Sequence, residues 1–180
     1  MQDTQLAEIK EYIHQEKFKK YFILTGKNSF YKSGASKIFE KIINKKNYNI
    51  YFKKEFIPKL KELRKIIDSI ELFKPDMILA FGGGTVIDYS KCANSIHSNV
   101  TEEEIISGQV KLRKFCDLCA IPTTAGSGAE VTENAVLYIN DHKYSVEDKL
   151  IQPDKYFLIP ELDDDYHIDH ARQDYSLEIC

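Results

Sequence analysis

Met77-Ile-Leu-Ala-Phe-Gly-Gly-Gly-Thr-Val-Ile-Asp-Tyr-Ser-Lys91 is the segment from which the architecture of this chain can be worked out. Its first five residues form a continuous apolar run, which is typical of a parallel strand buried on both faces. Gly82, Gly83 and Gly84 follow, and then a segment with helical spacing. A strand that turns directly into a helix presents backbone N–H groups at the positive end of the helix dipole, and glycines let a phosphate approach them closely. The segment therefore predicts a phosphate-binding turn.

A tight strand-to-helix turn without a ligand accounts for the same three glycines. Their spacing matches neither the dinucleotide fingerprint G-x-G-x-x-G nor the P-loop, which ends in Gly-Lys-Ser/Thr. Taken alone, the motif leaves both interpretations open. One side of the predicted helix carries Val86, Ile87, Ser90, Ala93 and Asn94.

Strands and helices alternate on both sides of this segment, which predicts an α/β fold with a doubly wound parallel sheet and right-handed crossovers. Helices are predicted at residues 4–16, 34–44, 58–74 and 101–106. Strands are predicted at residues 21–24, 49–52, 77–81, 116–121 and 155–159. Residues 135–139 and 143–146 flank Asn140-Asp141 and predict a β-hairpin.

Composition excludes several classes of protein. The 180 residues are 43% hydrophobic and 29% charged, with a net charge of -3, which is ordinary for a globular protein and gives no reason to expect nucleic acid. The lysines are spread among acids and predict a solvated face. Neither a bilayer-spanning apolar run nor a signal-peptide core is present in the sequence, so we predict a cytoplasmic protein without a membrane partner.

The four cysteines include one C-x-x-C pair, Cys116 and Cys119, and no second pair that would complete a zinc site. They lie in an apolar run that predicts a strand entering the interior. An offset of three residues places two strand side chains on opposite faces. We therefore predict buried, reduced thiols.

Three segments are predicted to meet at the carboxyl edge of the sheet, where open parallel sheets bind their ligands. They are Gly26–Ser29, Gly82–Thr85 and Thr123–Gly128, and all three are rich in glycine or hydroxyl groups. Three such loops at one edge favour a nucleotide-binding site over a plain turn.

Two motifs carry a family resemblance. Gly82-Gly-Gly-Thr-Val-Ile-Asp-Tyr-Ser-Lys91 precedes Ile121-Pro-Thr-Thr-Ala-Gly-Ser-Gly-Ala-Glu-Val-Thr132 by about thirty residues, and in this order they resemble the iron-containing alcohol dehydrogenase family. The similarity looks closest to its small-aldehyde reductases, including phosphonoacetaldehyde reductases. The resemblance implies a Rossmann-like dinucleotide-binding domain at residues 1–162. Residues 163–180 would then be the truncated start of a C-terminal all-helical, metal-binding domain.

The resemblance also implies the roles of individual residues. The backbone of Gly82, Gly83, Gly84 and Thr85 would hold the cofactor diphosphate, and Asp88 would lie in the same crevice. Thr123, Thr124 and Ser127 would flank the adenosine and its phosphates, and Lys143 would reach the ribose on the nicotinamide side. From spacing alone, Asp88 and Lys91 are equally well explained as an exposed i,i+3 ion pair.

Gly26 stands where NAD-preferring relatives often place an aspartate, and Lys27, Asn28 and Ser29 follow it. An open, basic, hydrogen-bonding loop accepts the extra 2′-phosphate, so the sequence predicts NADP(H) in preference to NAD(H).

The implied Fe²⁺ or Zn²⁺ site is incomplete in this sequence. Asp174 falls at the family's aspartate ligand, but the residue four positions later is Glu178 where the family has histidine, and two further ligands would lie beyond Cys180. We interpret His167 and His170 as solvated side chains.

The leading hypothesis is a metal-assisted alcohol dehydrogenase or aldehyde reductase that transfers hydride between NAD(P) and a small alcohol or aldehyde. This chain would supply the cofactor-binding part and would be inactive alone. An exposed domain interface would promote association, including homo-oligomers, but the sequence does not determine the oligomeric state. No proton donor is identified among its residues. The alternatives are a non-catalytic nucleotide-binding pseudoenzyme and a lyase similar to dehydroquinate synthase.

Overall fold

A computed structural model describes residues 2–15, 17–43, 47–159 and 162. The helices in these residues are α1 (Gln2–Ile13), α2 (Lys27–Lys32), α3 (Ala35–Ile42), α4 (Leu60–Phe73), α5 (Gly84–Ala93) and α6 (Glu102–Ile106). The strands are β1 (Lys20–Gly26), β2 (Asn47–Lys53), β3 (Met77–Gly82), β4 (Asp117–Pro122), β5 (Asn134–Ile139), β6 (His142–Glu147) and β7 (Lys155–Tyr156), and a 3-10 turn covers Lys149–Ile151.

Five strands form one sheet in the order β2-β1-β3-β4-β7, and all of their pairings are parallel. The chain moves from β1 to one side of the sheet and from β3 to the other. The order therefore reverses between β1 and β3, which is the point at which doubly wound sheets bind ligands. The predicted α/β class and doubly wound parallel sheet are confirmed.

The central strands are buried on both faces because their apolar runs are continuous. In β3, Met77, Leu79 and Phe81 pack into one core cluster with residues of α1, α2 and α3, whereas Ile78 and Ala80 pack into another with α4, α5 and the hairpin. All five side chains are 0% exposed. Alternate residues of one strand thus join two helical layers to the sheet.

Strands β5 and β6 form an antiparallel pair separate from the main sheet. Asn140 and Asp141 both have positive φ (48° and 63°), which is the backbone geometry of a two-residue hairpin turn that follows the strand twist. Ala135, Leu137 and Ile139 of β5 are buried against the layer that contains α5. The predicted hairpin is confirmed, and it lies on α5.

The structure differs from the prediction at one missed helix and at the ends of several elements. Helix α2 was missed, because its six residues bury only Phe30 and are too few for a helical period to show. Helix α4 begins at Leu60, since Lys59 before it is extended and its N–H donates to the Tyr89 hydroxyl at 2.7 Å. Strand β7 stops at Tyr156, three residues short of the prediction.

The cysteine prediction is confirmed for the described thiols except in one respect. Cys92, Cys116 and Cys119 are free, and Cys119 is buried in the opposite core cluster from the one that Cys116 contacts. Cys116 precedes β4 and is only partly buried, which is where the structure departs from the prediction. Its burial is still sufficient to raise the pKa of its thiol to about 12. No helix among the described residues is long and apolar enough to cross a membrane.

Candidate functional site

The turn between β3 and α5 has the backbone geometry that the glycines predict. Gly83 is extended (φ -77°, ψ -171°) and caps α5 without a side-chain hydrogen bond. The first hydrogen bonds of the helix run from the N–H groups of Val86 and Ile87 to the Gly83 carbonyl at 3.0 and 3.2 Å. The N–H groups of Gly84 and Thr85 precede them and are left without partners inside the helix. These amides lie at the positive end of a ten-residue helix, which suits an anion.

Each glycine of this turn has a close neighbour, and the contacts are closest at Gly82 and Gly83. A Cβ on Gly82 would lie 2.5 Å from the Val86 Cγ2, and one on Gly83 would lie 2.6 Å from the Thr124 Oγ1. A Cβ on Gly84 would lie 3.2 Å from the Ser127 Cβ. The loop after β4 therefore packs directly on the turn. The structure brings together two of the three segments that the sequence placed in one site.

Thr123 directly follows β4 and is the first residue of the second of these segments. It is 0% exposed, and its N–H donates to the Gly82 carbonyl at 3.2 Å. Within the described part of the chain, its Oγ1 has no hydrogen-bond partner. A buried hydroxyl without a partner costs free energy unless a ligand or water satisfies it. This hydroxyl and the uncapped amides fit a phosphate-containing cofactor.

Gly26 ends β1, the neighbour of β3, so the third segment lies at the same edge. The two strands are joined there by the Thr25 hydroxyl, which donates to the Phe81 carbonyl at 2.6 Å. The prediction of an open loop after Gly26 was wrong, because Lys27 begins α2. Ser29 in that helix donates through its hydroxyl to the Gly26 carbonyl at 3.1 Å.

Lys53 belongs to this edge and was missed from the sequence. It pairs with Gly26 in the register of β1 and β2, and its Cε lies 3.8 Å from the position of a Cβ on Gly26. Its ammonium donates to the Glu55 carbonyl at 2.7 Å, and burial lowers its pKa. The sequence shows Lys53 only as one of many lysines, and strand register alone identifies its place.

The loop after β2 is fixed against the turn by a buried carboxylate that sequence analysis did not identify. Glu62 is 5% exposed and accepts hydrogen bonds from the N–H groups of Lys54 (2.6 Å) and Glu55 (2.9 Å). The same loop reaches α5, where the Thr85 hydroxyl donates to the Phe56 carbonyl at 3.0 Å. Thr85 therefore contacts this loop through its side chain and leaves its backbone N–H at the helix start.

Asp88 and Lys91 do not form an exposed ion pair. Lys91 is 0% exposed, and its ammonium donates to the Thr132 carbonyl (2.8 Å), the Thr132 hydroxyl (3.0 Å) and the Asn134 carbonyl (2.8 Å). Asp88 is partly buried and accepts from the N–H of Val136. Both side chains of α5 thus engage the strand β5.

The Asp88 carboxyl has a perturbed pKa. Burial raises it to about 6, against the lowering effects of the Val136 N–H and of the positive charges of Lys91 and Lys143. Lys143 of β6 is exposed, and its positive charge is among the charges that lower the Asp88 pKa. Of the predicted site residues, Lys143 is the one that lies on the hairpin rather than near the sheet or α5.

The Asp88 pKa yields a test by pH. The folded-state pKa is higher than the unfolded value, so the folded protein binds the extra proton more tightly and loses stability from this group as pH rises from about 4 to 6. Asp88→Asn removes this dependence and keeps an oxygen that accepts from Val136. The unfolding free energy of the variant, relative to the parent protein, is expected to rise by about 1–3 kcal/mol between pH 4 and 7. Urea denaturation at a series of pH values measures it, and a difference independent of pH would contradict the assignment.

A cavity of about 330 Å³ adjoins the site and is lined in part by Thr124, Glu130 and Leu158. Two other cavities, of about 340 and 480 Å³, share His97 and Arg113 in their walls. Those two lie beyond the carboxyl end of α5, at the opposite edge of the sheet. The glycine turn itself is partly exposed at Gly83, Gly84 and Thr85.

A family model for iron-containing alcohol dehydrogenases matches residues 1–160. The chain belongs to the iron-containing alcohol dehydrogenase family. The resemblance predicted from the two motifs is thereby confirmed.

Individual relatives agree with this assignment. An alcohol dehydrogenase of Thermococcus barophilus is 33% identical over 113 residues, which are 58% of this chain and 30% of that protein. An NADPH-dependent butanol dehydrogenase of Clostridium saccharobutylicum is 33% identical over 103 residues, which are 54% of this chain and 26% of that protein. The crystal structure of sulfoacetaldehyde reductase from Bifidobacterium kashiwanohense in complex with NAD+ matches with a TM-score of 0.75 and 25% identity, over 88% of this chain and 43% of that one. The matched part is less than half the length of each relative.

Among the described residues, no three His, Cys, Asp or Glu side chains lie close enough together to hold a metal ion. Asp174, Glu178, His167 and His170 lie outside the described residues, as does the predicted boundary between residues 162 and 163. The ligand role of Asp174 stays a prediction.

Proposed function

We propose that this chain binds the dinucleotide of an NAD(P)-dependent alcohol dehydrogenase or aldehyde reductase, with the diphosphate at the amino end of α5. The observation that carries the proposal is the uncapped glycine turn at the β1/β3 reversal, packed against a loop whose buried Thr123 hydroxyl lacks a partner. Uncapped amides and a hydroxyl are the donors that a diphosphate requires. Family membership supports the same function.

In this proposal each predicted residue has a physical task. The N–H groups of Gly84 and Thr85 donate to the diphosphate, and the hydroxyls of Thr124 and Ser127 approach it from the facing loop. Gly83 keeps that loop close because it has no side chain. The remaining site residues that we predicted are Gly26, Gly82, Asp88, Thr123 and Lys143, and their part in cofactor binding stays a prediction.

The bound nicotinamide would supply or accept the hydride exchanged with the carbonyl carbon of a small aldehyde or its alcohol. The described residues hold the dinucleotide and leave the metal chemistry of the family to residues that the structure does not describe. We therefore also propose that the 180 residues bind cofactor without turning over an aldehyde.

Titration of the protein with NADPH and NADH, followed by the fluorescence of the reduced nicotinamide, tests the proposal. Saturable binding is expected, with displacement by ADP and not by adenosine, because the diphosphate provides the main contacts. A flat titration with both reduced cofactors, on a sample shown to be folded by circular dichroism, would exclude a dinucleotide site.

We further propose that NADP(H) is preferred. Two lysines support it: Lys27 directly follows Gly26, and the stem of Lys53 lies beside it. Both supply positive charge at the end of β1, where the family resemblance places the ribose of the adenosine. A phosphate ester on that ribose would gain from these charges, and a carboxylate at Gly26 would repel it.

Gly26→Asp is expected to reverse the preference. The φ of Gly26 is -92°, so a side chain is tolerated, and its Cβ would meet only the rotatable Ser29 Oγ at 2.9 Å. NADPH affinity is expected to fall about tenfold or more, which corresponds to about 1.4 kcal/mol or more. NADH affinity should stay the same or rise. Gly26→Asn is the matched uncharged control, and an equal loss with Asn and Asp would show that charge is not the cause.

A further inference from the structure

Lys91 is an unusual residue to find in the middle of a buried helix face. It is among the largest side chains with no exposed surface, and burial lowers the pKa of its ammonium. All three N–H donors of that ammonium are engaged, two by Thr132 and one by the Asn134 carbonyl. A buried charge is rarely a net source of stability, so its retention points to a requirement for geometry.

The acceptors lie along one edge of the hairpin. The carbonyl of Asn134 and the N–H of Val136 point to the same side of β5, because residues i and i+2 of a strand share an edge. Lys91 binds the first of these groups and Asp88 the second. Two side chains of α5, three residues apart, therefore take the place of a neighbouring strand along the first part of the outer edge of β5, before the bridge between Lys59 and Tyr138.

This attachment fixes where Lys143 lies. Lys143 sits on β6 opposite Tyr138 of β5, in a continuous antiparallel register from Asn134 to Ile139. The hairpin has no strand partner in the five-stranded sheet. The position of Lys143 relative to the glycine turn thus depends on how β5 is held at its two ends. Lys91 holds the start of the strand at Asn134, and the Pro58 carbonyl accepts a hydrogen bond from the Tyr138 N–H at 2.6 Å near its end.

We propose that Lys91 is a positioning residue, which holds the β5–β6 hairpin on α5 and so places Lys143 over the nicotinamide-side half of the dinucleotide. The proposal rests on the proposed cofactor site. The contact of Lys143 with that ribose is what the family resemblance implies, and the role of Lys91 is the new element. The sheet edge and α5 hold the adenosine diphosphate, and the hairpin holds the other ribose.

The test compares a whole dinucleotide with its adenosine half. Lys91→Met keeps most of the length of the side chain and removes the ammonium. We expect Lys91→Met and Lys143→Met each to weaken NADPH binding by about five- to tenfold, while the affinity for 2′,5′-ADP stays within about twofold. The double variant should bind NADPH no more weakly than Lys91→Met alone, since both act through one contact. Lys65→Met, an exposed lysine of α4, is the control and should change neither affinity.

A merely structural role gives a different pattern. It would weaken NADPH and 2′,5′-ADP equally and add to the effect of Lys143→Met, and either result would overturn the proposal. NADPH binding unchanged by Lys91→Met would overturn it as well. If the parent protein binds neither ligand, the proposed function itself fails, which is a separate outcome.

A milder variant keeps the test decisive if Lys91→Met does not fold. Thr132→Val removes one acceptor of the ammonium and preserves the shape of the side chain. It is expected to shift NADPH affinity in the same direction by a smaller factor and to speed amide hydrogen exchange in β5. Unchanged exchange and unchanged NADPH affinity in Thr132→Val would contradict the positioning role.

Discussion

Gly83→Ala is expected to weaken NADPH binding by about tenfold or more and to destabilise the fold by about 1–3 kcal/mol. The added Cβ would lie 2.6 Å from the Thr124 Oγ1 and 3.4 Å from its Cγ2, so the Thr124 side chain must rotate or the loop after β4 must move away from the turn. That movement separates the hydroxyls of the loop from the amides of α5. Fluorescence titration and urea denaturation measure the two effects.

The clash with Thr124 can be relieved separately. Thr124→Ala removes both of the close side-chain atoms and leaves a Cβ 3.6 Å from the new methyl group. Gly83→Ala combined with Thr124→Ala should therefore regain most of the stability lost by Gly83→Ala alone. Gly84→Ala, whose Cβ would meet Ser127 at 3.2 Å, should have a smaller effect than Gly83→Ala. Equal binding by the parent protein and Gly83→Ala would show that close packing of the loop is not needed.

Gly82→Ala is expected to be the most destabilising single change in the turn. Gly82 is buried, and its Cβ would lie 2.5 Å from the Val86 Cγ2 and 2.7 Å from the Val86 Cβ. Rotation of Val86 cannot remove a contact with its Cβ, so the strand or the helix must shift. We expect a loss of about 3 kcal/mol in the free energy of unfolding, at the upper end for overpacked cores.

Urea denaturation checks this prediction, with Val86→Ala as the control background. Val86→Ala removes the nearer atom, Cγ2, but keeps the Cβ, so it should only partly rescue Gly82→Ala. A loss below about 0.5 kcal/mol for Gly82→Ala would mean that β3 and α5 do not meet as closely as described.

The main sheet could be predicted because its buried strands have continuous apolar sequences. Met77–Phe81 and Tyr21–Leu24 are continuous apolar runs, and only a strand covered on both faces needs them. The hairpin could also be predicted from the sequence, because Asn140 and Asp141 are residue types that adopt positive φ in tight turns. The glycine turn followed from the direct succession of an apolar run, three glycines and a helical pattern.

The buried charges could not be predicted. Lys91 and Glu62 are residue types that usually lie on the surface, and helical periodicity gives no sign that either is inside. Their burial depends on acceptors and donors supplied by distant segments, the loop before β5 for Lys91 and the loop after β2 for Glu62. The position of Lys53 could not be predicted for a related reason, since only the pairing of β1 with β2 brings it beside Gly26.

Binding of the diphosphate by the amides at the start of α5 is the central claim, and nuclear magnetic resonance tests it most directly. ADP and NADPH are added to the ¹⁵N-labelled protein, and the amide shifts are followed to saturation. We predict that the largest shifts occur at Gly83, Gly84 and Thr85 with both ligands, and that shifts in β6 around Lys143 occur with NADPH alone. Saturable binding that leaves the amides of Gly84 and Thr85 unmoved would contradict the claim.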